Sequence, residues 1–282
     1  MINNWLTTNL RNPRHKSHLV DFVVTVENPY RFRAMSLVDA AKEAVVHAAS
    51  SMSPLYVALS GGLDSEYALH VCLEAGVPVT PILVKHPGNA TESAFAERFC
   101  DERGVAPCIL TVTEEEMMAT WYADIYDSFY GRGFYSAAGL IAMKYAQRHG
   151  GHLLTGDCPP LDDFKIAEMD TPMTGIVSLA EWDFYIGSQG LLSSYPHVGG
   201  LFAYSMEVFY AYLNEIDTGM GVQRAKAKMY GLELRPKMFP TPSKQSTASA
   251  VYAMKTERRT RAVYEVGTIR DVRQRMATWL VG

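Results

Sequence analysis

Long apolar runs are missing from this 282-residue chain, although 48% of its residues are hydrophobic. No stretch reaches the roughly 20 apolar residues needed to cross a bilayer. The start, Met1-Ile2-Asn3-Asn4 followed by Arg11 and Arg14, lacks the apolar centre of a secretory signal. A cytoplasmic protein with no membrane partner is expected. Cysteine is scarce: Cys72, Cys100, Cys108 and Cys158 form no C-x-x-C pair and no spacing suited to structural zinc or an iron–sulfur cluster. Cys72 and Cys100 fall at apolar helix positions and read as core, while Cys158 falls in a loop where a thiol could act. Internal repeats and low-complexity tracts are also missing. So are two familiar phosphate signatures, since no Gly-Lys-Ser/Thr follows the main glycine turn and that turn is not G-x-G-x-x-G.

Excess charge of either sign is small overall, at −4, but it is unevenly spread. From Arg224 to Gly282 there are thirteen Lys or Arg against four Asp or Glu, a net of +9, while the residues before them carry −13. A basic C-terminal fifth complements pyrophosphate, an anionic substrate or nucleic acid, or else forms a solvated helix surface.

What is present is a regular alternation. Ser36 with Asp39 marks a helix start, and Leu37, Val38, Ala41, Ala44, Val45 and Ala48 recur at helical spacing. Strands are expected at Tyr56–Leu59, Val79–Val84, Pro107–Val112 and His152–Thr155, with helical patterns between them at Glu66–Ala75, Thr91–Arg103, Glu114–Tyr130 and Ala137–Arg148. A further β-rich run covers Leu19–Val26, and a fainter one Ile176–Leu179. Strands alternating with helices argue for right-handed crossovers and a parallel sheet, with ligands beyond the carboxyl ends of the strands. Ser60, Lys85 and Gly156 fall at such ends. After Asp157 the pattern loosens, with a Gly-rich aromatic stretch at Tyr185–Gly200, helices at Tyr204–Ile216 and Gln223–Tyr230, and a mostly helical end from Ala248 to Leu280. Three parts follow: an N-terminal strand and helix (1–50), an α/β core (51–180), and a mostly helical, basic C-terminal region (181–282).

The most specific feature is Leu55-Tyr56-Val57-Ala58-Leu59-Ser60-Gly61-Gly62-Leu63-Asp64-Ser65, an apolar strand that runs into a Ser-Gly-Gly-Leu-Asp-Ser turn and then a helix. Glycines let backbone approach an anion, and amides at a helix start point at negative charge. Ser60 and Ser65 add hydroxyl donors. Asp64 adds a carboxylate able to hold Mg2+ or cap the helix. A nucleotide is the expected ligand.

This turn resembles the PP-loop of the ATP pyrophosphatase superfamily. That resemblance implies a doubly wound parallel α/β sheet of about five strands, of HUP type, with a helical C-terminal part. It also implies cleavage of ATP between the α and β phosphates, the loop gripping the pyrophosphate. Within the superfamily the chain is most similar to the synthetase domain of asparagine synthetases and β-lactam synthetases. There a strand ends in Gly-Glu followed by Asp-Glu, acids that hold Mg2+. Here Leu153-Leu154-Thr155-Gly156-Asp157 is followed by Asp162-Asp163, so Asp157, Asp162 and Asp163 join Asp64 as candidate metal ligands. Otherwise they form an acidic surface loop capping its own amides. Gly231-Leu232-Glu233-Leu234-Arg235-Pro236 is similar to that family's Gly-Leu-Glu-x-Arg-x-Pro, which makes Glu233 a candidate catalytic carboxylate. Lys237-Met238-Phe239 departs from the family pattern.

A lysine that neutralises charge on the phosphates is expected downstream. Lys237 and Lys244 are preferred and Lys255 is a third candidate. The resemblance spans roughly residues 40 to 250 and includes no glutaminase domain ahead of the loop, so ammonia, a free amine or a partner subunit is the expected nitrogen source. The implied site places the triphosphate over Ser60, Gly61, Gly62, Leu63, Asp64 and Ser65 and adenine against the backbone near Leu59 and Val84, with Lys85 and Gly156 as further cofactor-binding candidates at strand ends. ATP and Mg2+ are the expected cofactors. The implied activity is AMP-forming activation of a carboxylate or carbonyl oxygen for attack by an amine or ammonia. Two alternatives stand beside it: modification of a base in tRNA or viral DNA, and a nucleotide sensor without catalysis.

Overall fold

The computed structural model describes residues 6–11, 21–26, 30–121, 136–158, 176–178, 197–217, 219–234 and 266–281. At its centre lies a five-stranded, all-parallel sheet. Its strands are β3 (Leu55–Ala58), β4 (Val79–Lys85), β5 (Cys108–Thr111), β6 (His152–Thr155) and β8 (His197–Gly200), in the order β5-β4-β3-β6-β8. The helices between them are α2 (Leu63–Glu74), α3 (Ala90–Arg103), α4 (Glu114–Trp121) and α5 (Ser136–Arg148). Before the sheet comes α1 (Leu37–Ser51), and after it α6 (Met206–Glu215) and α7 (Val222–Tyr230).

Period-2 alternation divides the sheet's side chains between two helical layers. Leu55, Val57, Leu59, Leu83 and Leu154 join α1, α2, α6 and α7 in one core, whereas Ile82, Val84 and Leu153 join α4 and α5 in the other. Both faces are therefore covered, which is why β4 reads as a continuous apolar run rather than an alternating one. Each fully buried Leu or Ile contributes roughly 1.5–3 kcal/mol. The fold is the doubly wound α/β sheet expected.

α1 forms where its caps and periodicity place it. The Ser36 hydroxyl accepts from the Asp39 amide at 3.1 Å, and Leu37, Ala40, Ala41, Ala44, Val45 and Ala48 are buried. α2 starts three residues earlier than the sequence pattern predicts, directly from the glycine turn.

The fifth strand is a correction. It is not Ile176–Leu179 or Leu19–Val26 but His197–Gly200, within the Gly-rich aromatic stretch where no strand is read from the sequence. Two glycines depress its β propensity, yet Gly200 is needed, because a Cβ there would lie 2.8 Å from the Asp157 carbonyl oxygen. Residues Asp21–Val26 (β2) pair instead with Leu6–Arg11 (β1) as an antiparallel ribbon. Ile176–Ser178 (β7) pairs antiparallel with Val266–Thr268 (β9). The chain end is thus not helical throughout: β9 precedes the terminal helix α8 (Ile269–Ala277). No helix among the described residues is long and apolar enough to cross a membrane.

Candidate active site

The strand order places the first crossover, from β3 to β4, on one side and the step from β3 to β6 on the other. The carboxyl ends of β3 and β6 are therefore the point where successive connections diverge, the usual ligand position in such sheets. The Ser60–Ser65 turn leaves β3 at this point, and Gly156-Asp157-Cys158 leaves β6 beside it. The two turns touch. A Cβ on Gly156 would collide with the backbone at Asp64 and Ser65.

The turn is fixed from within. The Ser65 hydroxyl donates to the Gly62 carbonyl at 2.9 Å and accepts from the Ser60 amide at 3.1 Å, while Ser60 Oγ lies 3.0 Å from Ser65 Oγ. The Gly62 amide donates to Ser60 Oγ at 3.3 Å. Gly61 takes a left-handed φ of 75°, and a Cβ there would run into the Glu92 carbonyl of α3. Gly62 is different: its φ of −89° suits any residue, and a Cβ there would meet only Ser60 Oγ, at 3.4 Å. As N-cap of α2 it supplies no side chain to the first-turn amides, which have no partner inside the helix. Ser60 is exposed, Gly62 half-buried, and Gly61, Leu63 and Ser65 are buried. One side of the turn is thus packed, and the other, more open side carries the exposed Ser60 and the half-buried Gly62.

Asp64, at the second position of α2, is held by α7. Lys226 Nζ donates to its Oδ2 at 2.8 Å and the Tyr230 hydroxyl donates to its Oδ1 at 2.6 Å. Lys226 also lies 2.8 Å from Cys158 Sγ. The lysine side chain is only 8% exposed and the aspartate 28%. Burial opposes the charge on Lys226, but Asp64 and Cys158 outweigh it and hold its pKa above that of an ordinary lysine. Burial and the Asp64 charge keep Tyr230 a neutral phenol, well above its usual range. Burial, reinforced by Asp64, pushes the Cys158 thiol up to about 12. α7 is pinned over the loop by aromatic stacking, with Tyr230 4.3 Å from Tyr67 of α2 and 5.7 Å from Phe202, centroid to centroid.

The remaining expected residues are spread around this centre. Leu59 is buried, its amide donating to the Ile82 carbonyl at 2.9 Å. Val84 is buried at the end of β4, and Lys85 pairs with Glu97 of α3 at 2.8 Å. His86, next along the chain, is buried as a cap: its Nδ1 accepts from the Gly88 amide at 3.1 Å. Asp157 accepts from Thr155 Oγ1 at 2.7 Å. Glu233 is exposed beside Arg98, whose pKa is raised by Glu102 first and by Glu233 to a smaller degree. Its neighbours form a helix stop, with Gly231 left-handed at φ 63° and the Leu232 amide donating to the Ala227 carbonyl at 3.0 Å. Helix termination thus accounts for Gly231 and Leu232. Asp162, Asp163, Lys237, Lys244 and Lys255 lie outside the described residues.

The donor set fits the phosphates of a nucleotide. It does not fit a divalent ion at Asp64 in this arrangement, because an ammonium already neutralises that carboxylate and a phenol takes its other oxygen. Among the described residues no three His, Cys, Asp or Glu side chains converge as a metal site. Lys226 and Tyr230 are the residues that sequence reasoning missed. Their signal was a lysine between two alanines with a tyrosine at i+4, on a helix whose Arg224 and Lys228 face solvent.

No protein-family model matches the sequence, and no curated protein does. Among solved structures the chain is similar to a glutamine-dependent NAD+ synthetase from Acinetobacter baumannii, at 19% identity and TM-score 0.32, over 46% of this chain and 27% of that one. It is also similar to an NH3-dependent NAD synthetase from Campylobacter jejuni, at 17% identity and TM-score 0.30, over 43% of this chain and 56% of that one. The chain spans well under two thirds of either protein. Likeness at this level assigns neither a family nor a reaction, so function must be read from the residues around the loop.

Proposed function

We propose that this chain is a PP-loop enzyme that binds ATP at Ser60–Ser65 and cleaves it to AMP and pyrophosphate. The AMP goes to a carboxylate or carbonyl oxygen of a small-molecule substrate, and an amine or ammonia then displaces it, as in asparagine synthetases. The observation that carries this reading is Gly62. Neither its backbone torsions nor its packing demands glycine, yet its missing side chain leaves the first-turn amides of α2 without a side-chain cap at the carboxyl end of β3.

In this scheme the first-turn amides of α2 bind the β and γ phosphates and stabilise the charge that builds as pyrophosphate leaves, and the Ser60 hydroxyl and Gly62 amide exchange their bonds within the turn for bonds to the phosphates. Activation is needed because an oxide is too basic to leave unaided. Asp64, clamped by Lys226 and Tyr230, fixes the first turn of α2 and so the direction of its amides. Mg2+ enters as part of the Mg·ATP substrate. Four free cysteines suit the reducing cytoplasm.

Product analysis tests the proposal. Incubation of ATP with candidate carboxylates and an ammonia source gives AMP and pyrophosphate on this account; ADP and phosphate would exclude it.

A further inference from the structure

The proposed reaction leaves one group at the base of the loop without a role: the Cys158 thiol. It leaves the end of β6, 68 positions from Lys226 in sequence, yet its Sγ is 2.8 Å from Lys226 Nζ. A thiol beside an ordinary surface lysine would meet a mobile, hydrated ammonium. Lys226 is 8% exposed, and Asp64 holds its Nζ in place from the other side at 2.8 Å. Cys158 is only half-buried, whereas Cys72 and Cys100 are buried in the core. A sulfur and a nitrogen are thus held at a separation that one oxygen atom bonded to both would span.

We propose that Lys226 and Cys158 become joined under oxidising conditions through a single oxygen, as Nζ–O–Sγ, with dioxygen or hydrogen peroxide as the oxidant. The ammonium first gives one proton to the Asp64 carboxylate or solvent, leaving an amine. With dioxygen, the S–H bond, one N–H bond and the O–O bond break, S–O and N–O bonds form, and the second oxygen leaves as one water. With peroxide, the first equivalent converts the thiol to a sulfenic acid and releases water. The second equivalent removes the sulfenic hydrogen and one amine hydrogen as the N–O bond closes, and is itself reduced to two waters. Two equivalents of a dithiol, each oxidised to its disulfide, supply the four electrons and four protons that break the S–O and N–O bonds, returning thiol and amine and releasing the oxygen as water. The link replaces the charged partner of Asp64 with an uncharged nitrogen, so ATP cleavage is switched off by oxidation. That consequence rests on the proposed ATP reaction; the link itself does not.

Mass spectrometry of the full chain after peroxide treatment and quenching tests the link. The expected result is a gain of about 14 Da, one oxygen added and two hydrogens lost, set against the roughly 16 Da steps of simple thiol oxidation. Trypsin no longer cuts after Lys226, the peptides carrying residues 158 and 226 travel together, and dithiothreitol restores the starting mass. Treated Cys158→Ser and Lys226→Arg proteins show no such gain. Steps of about 16 Da on Cys158 with normal cleavage after Lys226 would overturn the proposal, as would an unmodified Cys158. Linked protein that still cleaves ATP would leave the link standing and overturn only its consequence.

Discussion

The packed side and the open side of the Ser60–Ser65 turn use the same residue type for opposite ends. Gly61 faces α3, where its left-handed torsion and the Glu92 carbonyl leave no space for a side chain. Gly62, its neighbour, has ordinary torsions, and a Cβ there would meet only Ser60 Oγ, at 3.4 Å. The lesson is that a glycine-rich turn is part scaffold and part site. Asp64, Lys226 and Tyr230 belong to the scaffold side, because their hydrogen bonds tie the turn to α7 rather than presenting charge to solvent.

The largest expected effect comes from filling the packed side. Gly61→Ala incurs a left-handed torsion and an overpacked contact, together about 3 kcal/mol or more of stability in urea unfolding. A change under about 1 kcal/mol would show that α3 yields and that the packed side is not rigid.

Next in size is the buried pair. Asp64→Ala strands a buried ammonium and is expected to cost about 3 kcal/mol, whereas Lys226→Met leaves a partly exposed carboxylate still bonded to Tyr230 and costs about 1 kcal/mol. The reverse order would show that the carboxylate, not the lysine, is the group that burial endangers.

A third effect is alkaline. Burial raises the Cys72 thiol from its ordinary 9.0 to about 12 and Cys100 to about 11. Above pH 9 the unfolded chain loses these protons while the folded chain keeps them. Stability is therefore full below that point and falls as pH rises, by at most about 1.4 kcal/mol per pH unit for each thiol. Cys72→Ala should flatten this slope between pH 9 and 11; an unchanged slope would mean that Cys72 does not carry it.

The smallest effect lies two residues from the buried lysine. Lys228 bonds Asp217 at 3.0 Å, nearly the Lys226–Asp64 distance, but its side chain is 67% exposed. Lys228→Met is expected to change stability by less than about 0.5 kcal/mol, and a larger loss would show that separation rather than burial sets the worth of these pairs.

The turn and four of the five sheet strands were legible in sequence because local signals agree there: apolar runs end in glycine and polar residues, and helical periodicity follows. The fifth strand was not, since His197–Gly200 owes its place to a close approach to Asp157 rather than to propensity. The partner of Asp64 was not legible either. Lys226 lies 162 positions away, and only tertiary packing turns one lysine of a basic helix inward while its neighbours face water. The acid read as a metal ligand is, in the folded chain, the counterion of that lysine.

The open side of the turn as the phosphate seat is tested most directly by calorimetric titration of Mg·ATP into Gly62→Asp beside the wild type. Aspartate is a favoured N-cap at these torsions, so the fold should keep its stability while the new carboxylate occupies the first-turn amides. The account predicts ATP binding by the wild type and a loss of at least about tenfold, about 1.4 kcal/mol, in the variant at unchanged thermal stability. Equal affinity in the two proteins would contradict it.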